Sequence, residues 1–180
     1  MNKISGIVIA GGKSSRMGQN KALIKYGSIR LIDNAIEILQ NFTQNILISS
    51  NVSIQNVSYP IISDEFKNIG PIGGLYSSLK ESKSELNIII PCDVPNVNIG
   101  LYNKMIELCV DVDAVIPELP NGKLEPLIAC YKKKILPIID ESICNNDYKL
   151  VNLLLKIKVR YIDVLDIEQF KNINSPEDLL

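Results

Sequence analysis

Short apolar segments alternate along the whole chain with segments of helical periodicity, and this alternation limits the folds that the chain can adopt. Residues 4–10 form an apolar run that leads into two glycines, which is typical of a strand buried on both faces. Between residues 31 and 42 the apolar side chains recur at helical spacing. The same reasoning predicts strands at 45–49, 57–62, 87–90, 114–116, 127–131 and 159–164, and helices from residue 70 and at 101–109, 135–143 and 150–156.

This pattern predicts an α/β fold: a single-domain, Rossmann-like three-layer α/β/α arrangement around a mostly parallel, doubly wound sheet. The chain has 180 residues, of which 46% are hydrophobic and 22% charged, so we expect one globular domain over residues 1–180. Ligands of such sheets bind at the carboxyl ends of the strands, near a topological switch point. We therefore look for a site in the loops that follow residues 10, 48, 62 and 90.

Charge and composition exclude several functions. The formal net charge of −1 argues against a nucleic-acid partner. No apolar run reaches the roughly 18 residues of a membrane-spanning helix, and the apolar part of the first residues is too short for a signal peptide, so we expect a cytoplasmic protein without a membrane partner. The four cysteines form no CxxC pair, which favours reduced thiols over a zinc site. The chain has no histidine, which excludes Ser–His and Cys–His hydrolases.

The triplet Gly12-Lys13-Ser14 imitates the end of a phosphate-binding P-loop. That motif has a glycine, four loop residues and then Gly-Lys-Ser/Thr. Its first glycine would have to be residue 7, which is an isoleucine within the first predicted strand. A strand cannot also be the loop that wraps the phosphates, so a P-loop is not expected, and the Rossmann glycine pattern is missing as well.

The loop after the first strand can handle a nucleotide in another way. Gly11 and Gly12 let a ligand approach the main chain closely and present N–H groups to it. Arg16 and Lys21 place two cations on the same loop, as the negative charge of a triphosphate requires. A glycine-rich turn with solvated lysines is the alternative that this stretch alone leaves open.

Polar residues also follow other predicted strands. Asp93 lies between two prolines after a buried strand, where its carboxylate could ligate Mg²⁺ beside substrate phosphates; the alternative is that it caps a turn or a helix. Asn51 and Asp64 have the same position after two other strands. Gly74 and the preceding glycine lie at a predicted helix start, which favours an anion there or close packing of the helix on the sheet.

Five stretches together resemble the molybdenum cofactor guanylyltransferases, which are relatives of the sugar-phosphate nucleotidyltransferases and share their nucleotide-diphospho-sugar transferase fold. The stretches are IAGGKSSRMGQNKAL at 9–23, ISSN at 48–51, ISDEFKNIGPIGGL at 62–75, PCDVP at 91–95 and FKNINSPEDL at 170–179. They occur in the family's order, so the resemblance covers nearly the whole chain.

The resemblance implies an enzyme that transfers GMP from GTP to the terminal phosphate of molybdopterin, with Mg²⁺ as cofactor and pyrophosphate as product. GTP, the molybdopterin cofactor and other proteins of cofactor biosynthesis or molybdoenzyme maturation are the implied partners. Arg16, Lys21 and Asp93 would be catalytic, with Asp93 holding the metal. The other implied binding residues are Ile9, Ala10, Gly11, Asn51 and Asp64 at GTP, and Asn172 and Asn174 near the pterin side.

Two positions depart from the family pattern: Asn20 stands where an aspartate is usual, and Ser175 replaces a threonine. The chemistry agrees with the composition, because a phosphate nucleophile is already ionised and needs no histidine as a base. A cytidylyltransferase acting on molybdopterin or another phosphorylated acceptor, and a non-catalytic nucleotide-binding protein, are the alternatives. A sugar-phosphate nucleotidyltransferase is a weaker one, since it shares the first stretch only.

Overall fold

The computed structural model describes residues 4–11, 21–174 and 178. The predictions made for Gly12, Arg16, Asn20 and Ser175 lie outside these residues. In the described part of the chain, no helix combines the length and the apolar character that a membrane crossing requires.

Strands and helices alternate along the chain, as the apolar pattern predicts. The strands are β1 (Ile4–Ile9), β2 (Lys25–Tyr26), β3 (Ile29–Arg30), β4 (Ile46–Ser49), β5 (Ile61–Ile62), β6 (Leu86–Pro91), β7 (Ala114–Glu118), β8 (Ala129–Lys132) and β9 (Val159–Asp163). The helices are α1 (Leu31–Gln40), α2 (Pro71–Glu81), α3 (Ile99–Leu108), α4 (Leu136–Cys144) and α5 (Leu150–Leu154).

Seven of these strands form one sheet in the order β5-β4-β1-β6-β8-β7-β9, and β2 and β3 form a separate hairpin. β8 runs antiparallel to both of its neighbours, and the other pairings in the sheet are parallel. The predicted α/β class with a mostly parallel sheet is therefore confirmed. The direction of β8 could not be predicted, because hydrophobic periodicity shows which face is buried and carries no information on strand direction.

The core lies on both faces of this sheet. Successive residues of β6 point to opposite faces: Ile88 and Ile90 pack in one apolar cluster with α1 and α3, and Ile89 packs in a second with α2, α4 and α5. All three side chains are fully buried. Burial on both faces explains why the strand reads as a continuous apolar run rather than an alternating one.

The strands that follow β1 in the sequence lie on both sides of it in the sheet. From β1 the chain proceeds to β4 and β5 on one side, and it then returns through α2 to β6 on the other side. The carboxyl ends of β1 and β6 thus flank a topological switch point, where open α/β sheets bind their ligands.

One predicted strand is shorter in the structure, and one hairpin has no counterpart among the predicted elements. The strand predicted at 57–62 is reduced to β5, because only its last two residues pair with β4. The β2–β3 hairpin was not predicted, because its strands have two residues each and are too short to show a periodicity.

Candidate active site

The end of β1 is fixed between its two neighbouring strands. The N–H of Cys92 donates to the carbonyl of Ile9 at 3.0 Å, and the N–H of Ala10 donates to the carbonyl of Ser49 at 2.9 Å. These main-chain groups of Ile9 and Ala10 are engaged in the sheet. A ligand that contacts the main chain here would use the segment from the Ala10 carbonyl onward, where Gly11 is exposed.

Lys21, Asp93 and Asn174 meet beside the switch point. The ammonium of Lys21 lies 2.7 Å from Asp93 Oδ2 and 2.8 Å from Asn174 Oδ1. The Lys21 and Asp93 side chains are 20% and 28% exposed, so the ion pair is mostly buried but still accessible to solvent. Residues that are distant in sequence thus form one charge cluster, which we call the Lys21–Asp93–Asn174 cluster.

Segment 168–174 is attached to the loop that carries Asp93. The N–H of Ile173 donates to the Asp93 carbonyl at 2.8 Å, and the N–H of Asn98 donates to Gln169 Oε1 at 3.3 Å. Phe170 and Ile173 are buried. Asn174 is therefore held against the site by the packing of the residues that precede it.

Asn51 and Asp64 form a second polar pair, after β4 and β5. The Asn51 amide donates from Nδ2 to Asp64 Oδ2 at 2.8 Å, and the Asp64 N–H donates to Asn51 Oδ1, also at 2.8 Å. This reciprocal pairing fixes the orientation of the Asp64 carboxylate, which remains partly exposed at the edge of the sheet.

The glycines of the site serve different purposes. A Cβ on Gly74 would lie 2.5 Å from Ser49 Oγ and 3.3 Å from Asp64 Oδ1, and a Cβ on Gly73 would lie 2.6 Å from the Phe66 carbonyl. Gly74 allows α2 to pack closely on the sheet and Gly73 allows it to pack closely on the loop before it, so close packing accounts for both glycines. At Gly11 the nearest described atom to a Cβ is the Ser49 carbonyl oxygen, 4.0 Å away, so packing against the described residues gives no reason for a glycine there.

A groove of about 480 Å³ adjoins the cluster on the side of segment 168–174. Sequence reasoning missed it, because the turn of the β2–β3 hairpin forms one of its walls. Its lining includes Tyr26, Gly27, Asn96, Glu168, Lys171, Ile173 and Asp178. Asp178 Oδ2 also accepts from the N–H of Asn174 at 2.9 Å, so this wall of the groove supports the cluster.

The thiol nearest to the cluster is not a nucleophile. Burial raises the pKa of Cys92 to about 12, and the adjacent negative charge of Asp93 contributes to the increase, although Lys21 opposes it. The thiolate is therefore absent near neutral pH, and the thiolate is the reactive form of cysteine.

The donor set at Asp93 fits a hard divalent cation that shares its coordination with a substrate. The described residues contain no group of three or more acidic or cysteine side chains that could enclose a metal. Mg²⁺ is commonly held by one or two carboxylates together with substrate phosphates and water. Asp93, partly exposed at the switch point, offers a ligand of this kind.

The polar groups follow the order of the strands along the edge of the sheet. Asp64 follows β5, Asn51 follows β4, Gly11 follows β1 and Asp93 follows β6, with Lys21 paired to Asp93. Asn172, by contrast, is exposed and makes no hydrogen bond to any described residue. The predicted residues thus form a line along the edge, while Asn172 does not join it.

The fold is a mostly parallel α/β sheet, and the candidate site lies at the carboxyl edge of this sheet. The chain belongs to the MobA-like NTP transferase domain family, whose model matches residues 6–159. It is therefore a nucleotidyltransferase, and the resemblance found in the sequence is confirmed.

Individual relatives agree with this assignment. A probable molybdenum cofactor guanylyltransferase of Flavobacterium johnsoniae is 32% identical, with 99% of this chain and 96% of that protein covered. A probable molybdenum cofactor guanylyltransferase of Carboxydothermus hydrogenoformans is 30% identical, with 99% and 94% covered. The crystal structure of molybdopterin-guanine dinucleotide biosynthesis protein A from Archaeoglobus fulgidus has the same fold, with a TM-score of 0.81, 23% identity and 97% and 94% of the two chains covered.

Proposed function

We propose that the protein transfers GMP from GTP to the terminal phosphate of molybdopterin and releases pyrophosphate. The observation that carries the proposal is the ordered line of polar groups from Asp64 to the Lys21–Asp93 ion pair, in a chain whose full-length relatives are named molybdenum cofactor guanylyltransferases. Three strand spacings separate β5 from β6, about 14 Å. One nucleotide can lie along this edge with its base at one end and its phosphates at the other.

The base belongs at the Asn51–Asp64 end in this proposal. A carboxylate only accepts hydrogen bonds, and Asn51 holds that of Asp64 in a fixed orientation. The guanine edge presents the ring N1–H and the 2-amino group as neighbouring donors, whereas cytosine presents one donor beside two acceptors. An oriented carboxylate therefore favours GTP over CTP.

The phosphates belong at the other end, beside Gly11, Lys21 and Asp93. Lys21 supplies positive charge for the α-phosphate and the departing pyrophosphate, and Gly11 gives the nucleotide close access to the main chain. Asp93 would hold Mg²⁺, which would neutralise phosphate charge as a Lewis acid. The acceptor phosphate is already ionised, so the residues here need to align it and to exclude water rather than to remove a proton.

The acceptor belongs in the groove beside segment 168–174. This groove lies next to the Lys21–Asp93–Asn174 cluster, so a ligand in it can direct a phosphate at the α-phosphate of GTP. Glu168 and Asp178 provide acceptors for the N–H groups of a pterin, and Tyr26 provides an aromatic face. We also propose a cytoplasmic location, in which the buried thiols of Cys92, Cys109 and Cys130 remain reduced.

The decisive experiment is incubation of the purified protein with molybdopterin, Mg²⁺ and one nucleoside triphosphate at a time. We expect pyrophosphate and a guanine dinucleotide with GTP, and much less product with CTP. Formation of the cytosine dinucleotide would instead identify a cytidylyltransferase. Thermal stabilisation by GTP without any product would identify a non-catalytic nucleotide-binding protein.

A further inference from the structure

The ion pair between Lys21 and Asp93 affects when a metal can bind. The two atoms lie 2.7 Å apart, which is the distance of a direct charge-assisted hydrogen bond. The carboxylate that fits a divalent cation is therefore already neutralised by a side chain of the same protein. A cation that binds Asp93 while Lys21 stays in place is repelled by the ammonium charge, and this repulsion is strong because the pair is only partly exposed.

We propose that Lys21 is the counter-ion of Asp93 in the nucleotide-free enzyme, so that the divalent cation enters together with the nucleotide rather than before it. This inference rests on the proposed function for the identity of the nucleotide. The triphosphate brings several negative charges to the cluster, and these charges compete with Asp93 for the ammonium. Once Lys21 turns to the phosphates, the Asp93 carboxylate regains the negative charge that attracts a metal.

Asn174 holds Lys21 through a neutral side chain. Its side-chain oxygen lies 2.8 Å from the same ammonium, and its own N–H is held by Asp178. An amide oxygen keeps Lys21 in the site by a hydrogen bond but adds no net charge. A carboxylate at this position would retain the ammonium against the phosphates, so a neutral acceptor suits a lysine that must change partners. Asn174 is thus a positioning residue for Lys21.

The test measures binding of Mn²⁺ alone to the nucleotide-free protein, by the electron paramagnetic resonance signal of free Mn²⁺. Lys21→Met removes the ammonium and keeps a side chain of similar length. We expect it to lower the Mn²⁺ dissociation constant about tenfold, the effect of removing one like charge beside a partly exposed carboxylate. Lys25→Met makes an equal charge change at an exposed lysine of β2. It should alter the Mn²⁺ dissociation constant by less than about twofold, because solvent and salt screen that charge.

Asp93→Asn provides the second half of the experiment. If Lys21 acts through Asp93, Lys21→Met should give no gain in Mn²⁺ affinity when Asp93→Asn is also present. An unchanged dissociation constant in Lys21→Met would overturn the proposal, as would an equal gain in the double variant, which would indicate a general change in surface charge. Absence of measurable Mn²⁺ binding in both the wild type and Lys21→Met would overturn it too.

This experiment is independent of the acceptor and of turnover. A protein that makes no guanine dinucleotide but gains Mn²⁺ affinity on Lys21→Met would refute the proposed function and retain the counter-ion role. If the protein makes the dinucleotide and Lys21→Met leaves Mn²⁺ binding unchanged, the proposed function is retained and the counter-ion role is refuted. Thermal unfolding of each variant checks that it is folded at the titration temperature.

Discussion

The side chain of Asn51 and the residue Asp64 hold each other by two reciprocal hydrogen bonds of 2.8 Å, one to the carboxylate and one from the main chain. Asn51 lies just after β4, and Asp64 lies just after β5. Because these two strands are neighbours in the sheet, the two residues meet at its edge. The pair creates an oriented acceptor that does not depend on a distant part of the chain.

Asp64→Asn tests whether this acceptor binds the base. Inosine triphosphate lacks the 2-amino group of GTP, so the wild type should prefer GTP by about tenfold in kcat/KM, the effect of one hydrogen bond to a charged group. We expect the variant to lose most of this preference. Asp163→Asn, on the exposed face of β9, is the matched control and should keep it. An equal preference in the wild type and in Asp64→Asn would place the base elsewhere.

Gly74 and Gly11 are predicted to respond to the same substitution in different ways. Gly74→Ala places a methyl group 2.5 Å from Ser49 Oγ and should destabilise the fold by about 1–3 kcal/mol. Gly11→Ala meets no described atom closer than 4.0 Å, so stability should change little while KM for GTP increases. Urea denaturation and steady-state kinetics of both variants measure the contrast. A normal KM for Gly11→Ala would remove this glycine from the nucleotide site.

Asp93→Ala should reduce turnover far more than stability. A partly exposed ion pair contributes only about 0–1 kcal/mol to folding, so the unfolding midpoint should change little. Loss of a metal ligand beside the reacting phosphates should lower kcat by about a hundredfold or more. The measurement is pyrophosphate release at saturating Mg²⁺ together with thermal unfolding. Near-normal turnover under these conditions would show that the metal is held by other residues.

Asn174→Ala should disturb Lys21 without removing its charge. Because Lys21 loses one of its acceptors, we expect kcat/KM for GTP to fall by about tenfold, in line with the loss of one hydrogen bond to a charged group. Asn172→Ala changes the same residue type two positions earlier, where the side chain is exposed, and serves as the control for GTP kinetics. Equal losses in both variants would mean that the segment acts through its packing rather than through the Asn174 side chain.

Asp113 should make the stability of the β7–β9 region sensitive to acid. Partial burial raises its pKa, but hydrogen bonds from Lys134 and from the Lys158 N–H outweigh burial and hold the pKa below the ordinary 3.8. A depressed carboxyl pKa stabilises the fold fully above the unfolded-state pKa, and this contribution is lost as the pH falls through the folded-state pKa.

The corresponding variant is Asp113→Asn. The difference in unfolding free energy between the wild type and this variant should be constant above about pH 5 and should shrink progressively below pH 4. Urea denaturation at a series of pH values measures this difference in unfolding free energy. Asp111→Asn, at an exposed aspartate two positions earlier in the chain, is the control. A difference that stays constant down to pH 2 would exclude the ionised Asp113 carboxylate as its source.

Much of the fold could be predicted because the buried strands are continuous apolar runs. β1 and β6 are each buried on both faces, so their sequences identify them without any tertiary information. The reversed direction of β8 and the two-residue strands of the β2–β3 hairpin were not predictable, since both depend on pairing partners rather than on local pattern.

The position of the candidate site at the edge of the sheet could be predicted, and its contacts less so. Residues that follow parallel strands must lie at the same edge, and the structure places Asn51, Asp64 and Asp93 in the loops after β4, β5 and β6. The contact of Lys21 with Asp93 joins residues 72 positions apart, and its contact with Asn174 joins residues 153 positions apart, so no local pattern indicates either of them. The packing role of Gly74 also becomes clear only from the position of Ser49.

The attachment of segment 168–174 to the Asp93 loop has a consequence for protein synthesis. Lys21 and Asp93 precede β7, β8 and β9 in the chain, but their third partner, Asn174, follows all three strands. On the ribosome, a nascent chain that has already folded β1, β4 and β6 still lacks one wall of its site. The Lys21–Asp93–Asn174 cluster can therefore be completed only after β9, the last strand of the sheet, has been synthesised.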